Sequence, residues 1–330
     1  MNTTDPIALE ATEIRRIAFF GTPQFAVPTL DALHEAGRTP VVVVSQPTRG
    51  VGRGRRPKPP PVAAWAEENS VELIQTSNVR EAAVMEALRD LQVDLAVVVA
   101  FGQIFRQALL DLPRLGCMNL HASLLPAYRG ASPIVAAIRA GESVTGACTM
   151  QMERGLDSGP VLMQDSCEIG PDETAGELAP RLAMLGARLV VRTLDAWEAG
   201  QLTKTPQDDD QASFAPMLDR TEGWIDWDQP AQRIHDLVRA FDPWPGTRTL
   251  LGNDTIAIKK TRRPEADGGS ASPGTVLGLS EFGFRVATGD GGVIDVLKVQ
   301  RAGRRAVSGR DFANGESDLV GRRLSPAPSS

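Results

Sequence analysis

The sequence predicts an α/β protein, with a Rossmann-like, doubly wound and mostly parallel sheet followed by a smaller β-barrel domain. Three observations carry that expectation. Continuous apolar runs rich in β-branched residues, such as Val41 to Val44 and Leu95 to Ala100, recur between amphipathic helical patterns, and parallel strands covered on both faces read as continuous rather than alternating. One apolar run ends in Asn119, Leu120 and His121, so polar groups stand at a strand's rim, where open α/β sheets place their chemistry. From Leu250 to Val299 the pattern becomes short strands separated by turns, as in small barrels.

The elements follow in order. Arg15 to Gly21 reads as a short buried strand closing in a tight turn, and Thr22-Pro23 opens a helix carrying Phe25, Leu30 and Leu33. That turn has one glycine instead of G-x-G-x-x-G, so a dinucleotide cofactor is unsupported. After the Val41 to Val44 strand, Ser45 to Pro61 carries Arg49, Arg53, Arg55, Arg56 and Lys58 with no acidic residue. Its glycines and prolines predict a long exposed loop without regular structure. Such a loop is either a solvated surface segment or one that orders against phosphates. Val62 to Glu68 and Val79 to Asp90 carry helical periodicity, and Leu95 to Ala100 forms the next buried strand.

Cys117 to Gly130, CMNLHASLLPAYRG, is the stretch with most chemistry. Asn119 and His121 are two apart, so a strand's period of two points both to one face. Downstream, Asp157 lies between Gly155 and Gly159 in a loop able to reach that imidazole. A histidine, an amide donor and a carboxylate suit acyl transfer to an amine. Ser123 lacks the G-x-S-x-G elbow, so a covalent serine is not expected. Pro133 to Ala140 reads as a helix, Gly146 to Met152 as a strand, and Glu173 to Ala199 as a long helix closing the domain.

The expected domains are residues 1–204, a linker over 205–216 and a second domain over 217–330. In the second, Trp224 to Trp227 reads as a short strand and Ala231 to Phe241 as a helix with Ile234, Leu237, Val238 and Phe241 on one face. Strands are expected at Thr255 to Lys260, Gly274 to Leu279, Phe284 to Thr288 and Val293 to Val299. Lys259, Lys260, Arg262, Arg263, Lys298, Arg301, Arg304, Arg305 and Arg310 gather here, either as ordinary surface charge or as a platform for a nucleic-acid backbone.

With 330 residues, 42% of them hydrophobic, the chain can bury the cores of two domains. Net charge is −6, which by itself argues against a nucleic-acid binder, although phosphates respond to local stripes of charge. Three cysteines without a CxxC pair and three histidines argue against a zinc site or disulfide framework. No metal is expected. The polar, acidic start and the lack of a long apolar run predict a cytoplasmic protein, off the membrane, and a monomer is expected.

Asn119-Leu120-His121-Ala122-Ser123-Leu124-Leu125-Pro126, then Arg129-Gly130 and Gly155-Leu156-Asp157-Ser158-Gly159, resembles the signature of formyltransferases that use 10-formyltetrahydrofolate. The match runs from about Arg16 to Leu324. The resemblance implies a folate co-substrate, with Asn119, His121 and Asp157 as catalytic residues: an oxyanion donor, a proton acceptor or cationic stabiliser, and the group that orients the imidazole. It implies that Ser123, Leu124, Leu125 and Pro126 form the folate-contacting turn and that Phe101, Gly102 and Ile104 line the pterin pocket; a glycine turn with core aromatics fits the latter segment equally well.

The Arg49 to Lys58 insertion resembles the tRNA-contacting loop of the branch whose acceptor is initiator methionyl-tRNA, so Arg49, Arg53, Arg55, Arg56 and Lys58 are the expected tRNA contacts. The FDPWPG element at Phe241 to Gly246 recurs across the family, and the barrel is OB-like by the same resemblance. Where the family has T-G-V-T-I-M-Q-M, this chain has Thr145-Gly146-Ala147-Cys148-Thr149-Met150-Gln151-Met152, and Ser158 stands where threonine is common. The alternatives are transfer to a sugar-nucleotide amine, hydrolysis of formyltetrahydrofolate, or a non-catalytic RNA-binding module.

Overall fold

The computed structural model describes residues 5–51, 56–263 and 268–326. They form two compact units. The first holds the described residues up to Pro133 with Val144–Glu168 and Ala179–Pro216, and the second holds Ile134–Ser143, Ile169–Leu178 and the described residues from Met217. The segment 205–216, expected as a linker, thus packs within the first unit.

The first unit is built on strands β1 (Ile17–Gly21), β2 (Val42–Ser45), β3 (Glu72–Gln75), β4 (Leu95–Val99), β5 (Cys117–His121), β6 (Val144–Gln151) and β7 (Val161–Glu168). They lie in the order β7-β6-β5-β4-β1-β2-β3. Pairs among β1 to β5 are parallel, and β6 and β7 add antiparallel pairs. The chain leaves β1 toward one edge and returns to β4 on the other side of β1. That reversal opens a crevice at the strands' carboxyl ends.

The apolar runs are continuous because both faces are covered. Ile17, Phe19, Val43, Val97, Met118 and Leu120 share one core with helices α1 (Val27–Glu35), α2 (Pro61–Glu68) and the long helix Ala175–Glu198, through Leu30, Trp65, Leu189 and Leu194. Ala18, Phe20, Val42, Val44, Val98 and Cys117 face a second core with Val84 and Leu88 of α3 (Ala82–Asp90). Each large side chain buried this way contributes roughly 1.5–3 kcal/mol before entropy is subtracted.

In the second unit, a sheet runs through Val276–Leu279, Phe284–Ala287, Val293–Arg301, Asp254–Arg262, Thr247–Leu251 and Leu324–Ser325. A bridge between Thr275 and Arg323 joins the two ends of that path, curling it into a barrel around Ile256, Phe284, Ile294 and Val299. Helix Ala231–Ala240 packs Ile234 and Val238 on this core.

Several expectations need correction. Ser45 to Pro61 is not without regular structure, since Arg49–Val51 pairs with Arg56–Lys58 in a two-stranded ribbon. Pro57 is tolerated there because an isolated ribbon leaves its outer sides unpaired. Trp224 to Trp227 is not a strand. Asp219 and Glu222 form a capping box on the 3-10 turn Arg220–Gly223, and Trp224 then makes a single bridge to Arg248. Edge strand Glu72–Gln75 and strand Thr247–Leu251 were not expected.

Gly186, in the long helix, lies against Leu120 of β5: a Cβ there would stand 2.6 Å from Leu120 Cδ2. Gly186→Ala should therefore destabilise the protein by about 1–3 kcal/mol, read as a lowered thermal midpoint. An unchanged midpoint would show that Leu120 can move aside.

Candidate active site

The candidate side chains converge at the carboxyl edge of the parallel strands. On β5, Met118 and Leu120 point into one core, which leaves Asn119 and His121 on the opposite face. Register fixes them: Asn119 sits opposite Val98 of β4 and Met150 of β6, and His121 opposite Cys148. His121 is buried and Asn119 half-buried. Among the described residues no protein group bonds to the Asn119 amide, so its donors remain available.

Asp157 reaches the imidazole, with Oδ2 3.7 Å from His121 Nδ1. The same oxygen accepts a hydrogen bond from the Gly130 N–H at 2.8 Å. On the far side of the ring, His121 Nε2 lies 2.9 Å from the Tyr128 carbonyl. A carbonyl only accepts, so Nε2 carries a hydrogen here and Nδ1 is the nitrogen facing the carboxylate.

The backbone is held in an uncommon state around this cluster. Ala100, Tyr128 and Asp157 have φ of 48°, 62° and 50°, left-handed values that cost non-glycine residues on the order of 1–3 kcal/mol each. They stand, respectively, at the exit of β4, beside the His121 hydrogen bond and at the carboxylate itself. Such strain persists only where the surroundings fix it. Here Gln207 Nε2 donates to the carbonyls of Asp157 and Gly159 at 2.8 and 2.6 Å, and buried Arg129 donates to Gln207 Oε1 at 3.0 Å.

The other expected contacts are placed unevenly. Ser123 is fully buried and its hydroxyl donates to the Ala127 carbonyl at 2.6 Å, inside its own turn. Leu125 packs on Cys148 and Met150, while Leu124 and Pro126 are half-buried. Phe101 lies in the core, edge-on to Phe20 and Phe105, and its carbonyl accepts from Gln46 Nε2 at 3.0 Å. Gly102 and Ile104 are exposed. Of the basic loop, Arg53 and Arg55 lie outside the described residues; the backbones of Arg49 and Lys58 pair across the ribbon, as do Val51 and Arg56, and Lys58 is exposed.

The two buried thiols are poor nucleophiles. Burial pushes Cys117 and Cys148 up to about 12, so the sulfur opposite His121 stays a thiol at neutral pH. No described group of three or more His, Cys, Asp or Glu side chains is placed to hold a metal ion.

An amide donor and an imidazole on one strand, met by a carboxylate from a loop, are groups suited to acyl transfer, and the similarities of the chain are to acyl-transferring enzymes. A family model described as formyl transferase matches residues 15–194, and one described as the formyl transferase C-terminal domain matches residues 217–317. The methionyl-tRNA formyltransferase of Geobacter metallireducens is 45% identical over 94% of this chain and 96% of its own length. That of Roseobacter denitrificans is 45% identical over 92% and 96%. The chain belongs to the methionyl-tRNA formyltransferase family. Among solved structures, an N-formyltransferase from Helicobacter canadensis in complex with folinic acid and dTDP-3-aminofucose superposes with a TM-score of 0.64 at 18% identity, covering 88% of this chain and 100% of that one. That likeness is one of fold.

Family membership leaves three supports of the site that sequence reasoning missed: the Tyr128 carbonyl, Arg129 and Gln207. Arg129 stood within the quoted motif without a role. Gln207 lies 50 positions beyond Asp157 in a stretch with no periodic pattern, and no local signal marks it.

Gly159 closes the Asp157 loop, and a Cβ there would overlap the Gln151 carbonyl. Backbone cannot yield as a side-chain tip can. Gly159→Ala should lower both the thermal midpoint and turnover, measured on the same preparation; normal turnover would show that the loop tolerates displacement.

Proposed function

We propose that this formyltransferase moves the formyl group of 10-formyltetrahydrofolate onto the α-amine of methionine esterified to initiator tRNA. The observation that carries the proposal is the Asn119 amide, without a partner among the described residues, beside His121, with Asp157 3.7 Å from Nδ1. The names of the relatives at 45% identity support tRNA as acceptor. Folate as formyl donor is supported by family membership and by structural neighbours solved with folate derivatives.

The chemistry follows from these groups. The amine nitrogen bonds to the formyl carbon, giving a tetrahedral intermediate whose oxygen carries negative charge. The bond from that carbon to N10 then breaks and the carbonyl reforms. An amide N–H aimed at the oxyanion contributes roughly 2.7–4 kcal/mol at comparable sites, and the Asn119 amide has no partner among the described residues to compete for it. Net transfer also moves one proton from the amine to N10. Because the Tyr128 carbonyl retains the Nε2 hydrogen, Nδ1 is the ring position able to take and return that proton, and the Asp157 carboxylate compensates the charge while it is held. Ser123 to Pro126 form the folate-contacting turn in this reading, with Gly102 and Ile104 at its border, and Phe101 contributes packing and its backbone.

The second unit, with its OB-like barrel, serves as an acceptor platform, together with the basic ribbon. Purified protein given 10-formyltetrahydrofolate should formylate charged initiator tRNA and leave an amino-sugar nucleotide unmodified; the reverse preference overturns tRNA as acceptor.

Asn119→Ala, His121→Ala and Asp157→Asn should each lower turnover by about a hundredfold or more while the circular dichroism spectrum is kept. Near-normal turnover in all three folded variants removes this site from consideration.

Replacing Arg53, Arg55 and Arg56 by alanine should weaken tRNA binding and flatten its dependence on log salt by about two units, since each neutralised phosphate contributes about 0.7–0.9. Folate affinity should barely change. A triple variant with the wild-type slope would make the segment Ser45 to Pro61 a solvated insertion and favour a small-molecule acceptor.

A further inference from the structure

We infer that Gln207 is a positioning residue for catalysis: it pins the Asp157 loop so that the carboxylate meets His121, and through it the 207–215 segment forms a wall of the active site. The inference rests on the role proposed for Asp157.

Every hydrogen-bonding end of this side chain is directed at the site's supports. Nε2 donates to the carbonyls of Asp157 and Gly159 at 2.8 and 2.6 Å, and Oε1 accepts from Arg129 Nε at 3.0 Å. Arg129 is buried, and its other nitrogen pairs with Asp209 at 2.8 Å. Its backbone is fastened to the same segment: Arg129 N–H donates to the Ser213 carbonyl, and Ala215 N–H to the Arg129 carbonyl, both at 2.8 Å. The next residue, Gly130, donates its N–H to the Asp157 carboxylate. The two arms that hold Asp157, one on its backbone and one on its side chain, therefore meet at Arg129.

The loop cannot hold this position by local preference. Asp157 adopts φ of 50°, a conformation its Cβ disfavours, and Leu156 beside it is exposed, so the Leu156 side chain does not anchor this end of the loop. The two Gln207 donors hold the backbone on alternate carbonyls, while Gly130 holds only the side chain. Without those two donors the backbone can relax toward right-handed values and carry the carboxylate away from Nδ1. A displacement near 1 Å in a group that supports the reacting centre can cost about a hundredfold in rate.

The test compares Gln207→Ala, Gln207→Glu, Asp157→Asn and the double variant Gln207→Ala/Asp157→Asn in the full chain, measuring kcat, KM for both substrates and the thermal midpoint. Gln207→Glu keeps the side chain's size and its contact with Arg129 but loses both donors, so it decides the matter should the alanine variant fold poorly. Each Gln207 variant should lose about tenfold or more in kcat, with both KM values within about twofold. On the Asp157→Asn background, Gln207→Ala should cost less than about twofold more, because the two residues act through one group. Full additivity, or a rise in KM with kcat retained, overturns the inference. So does wild-type kcat in the Gln207 variants when Asp157→Asn is impaired. If Asp157→Asn is itself fully active, the proposed role of Asp157 fails first.

Discussion

Parallel alignment of β1 to β5 is the constraint on which the rest depends. It puts the exits of all these strands on one edge, so that the Thr22 turn, the start of the basic ribbon, Phe101 and His121 open toward a common region although they are far apart in sequence. Pairing with β4 and β6 then leaves β5 no freedom of register. A slip of one residue would turn Asn119 and His121 into the core that holds Met118 and Leu120, exchanging two satisfied apolar side chains for two buried polar ones.

The placement of strands was legible because burial on both faces writes itself as continuous apolar sequence: IAFF, VVVV and LAVVV could hardly belong elsewhere. Glu72–Gln75 was illegible for the opposite reason, since an edge strand half open to water keeps Glu72 and Gln75 at its ends and shows neither a continuous nor an alternating pattern. Thr247–Leu251 went unread despite its Gly252-Asn253 turn, a dipeptide suited to a two-residue hairpin. In the site, two-residue spacing disclosed Asn119 and His121, and glycines flanking Asp157 disclosed a loop. What the spacing could not disclose was the company of that loop, because Gln207 and Arg129 act through hydrogen bonds to backbone carbonyls, which leave no periodic trace.

The segment between 205 and 216 changes meaning accordingly. Its aspartates and lack of apolar period read as a solvated connector, yet Phe214 bridges to Arg129 and the Tyr128 N–H donates to Ser213 Oγ at 2.9 Å. A catalytic fragment ending at residue 204 would lose Gln207, Asp209 and Ser213 together. Boundaries drawn from composition and boundaries drawn from the candidate site differ by this strap.

Charge in the second unit shows why counting basic residues overstates a binding surface. Lys259 pairs with Asp242 at 3.0 Å, Arg262 and Arg285 flank the fully buried Asp295, and Arg301 bonds to both Asp254 and Glu316. These cations are already compensated, and those around Asp295 cannot leave without stranding a buried carboxylate. Lys260, Arg263, Lys298, Arg304, Arg305 and Arg310 have no ion pair among the described residues. Cations without a carboxylate partner can exchange counterions for phosphates, so in the proposed reading the salt dependence of acceptor binding follows these residues and the ribbon, while the paired cations hold the barrel's shape.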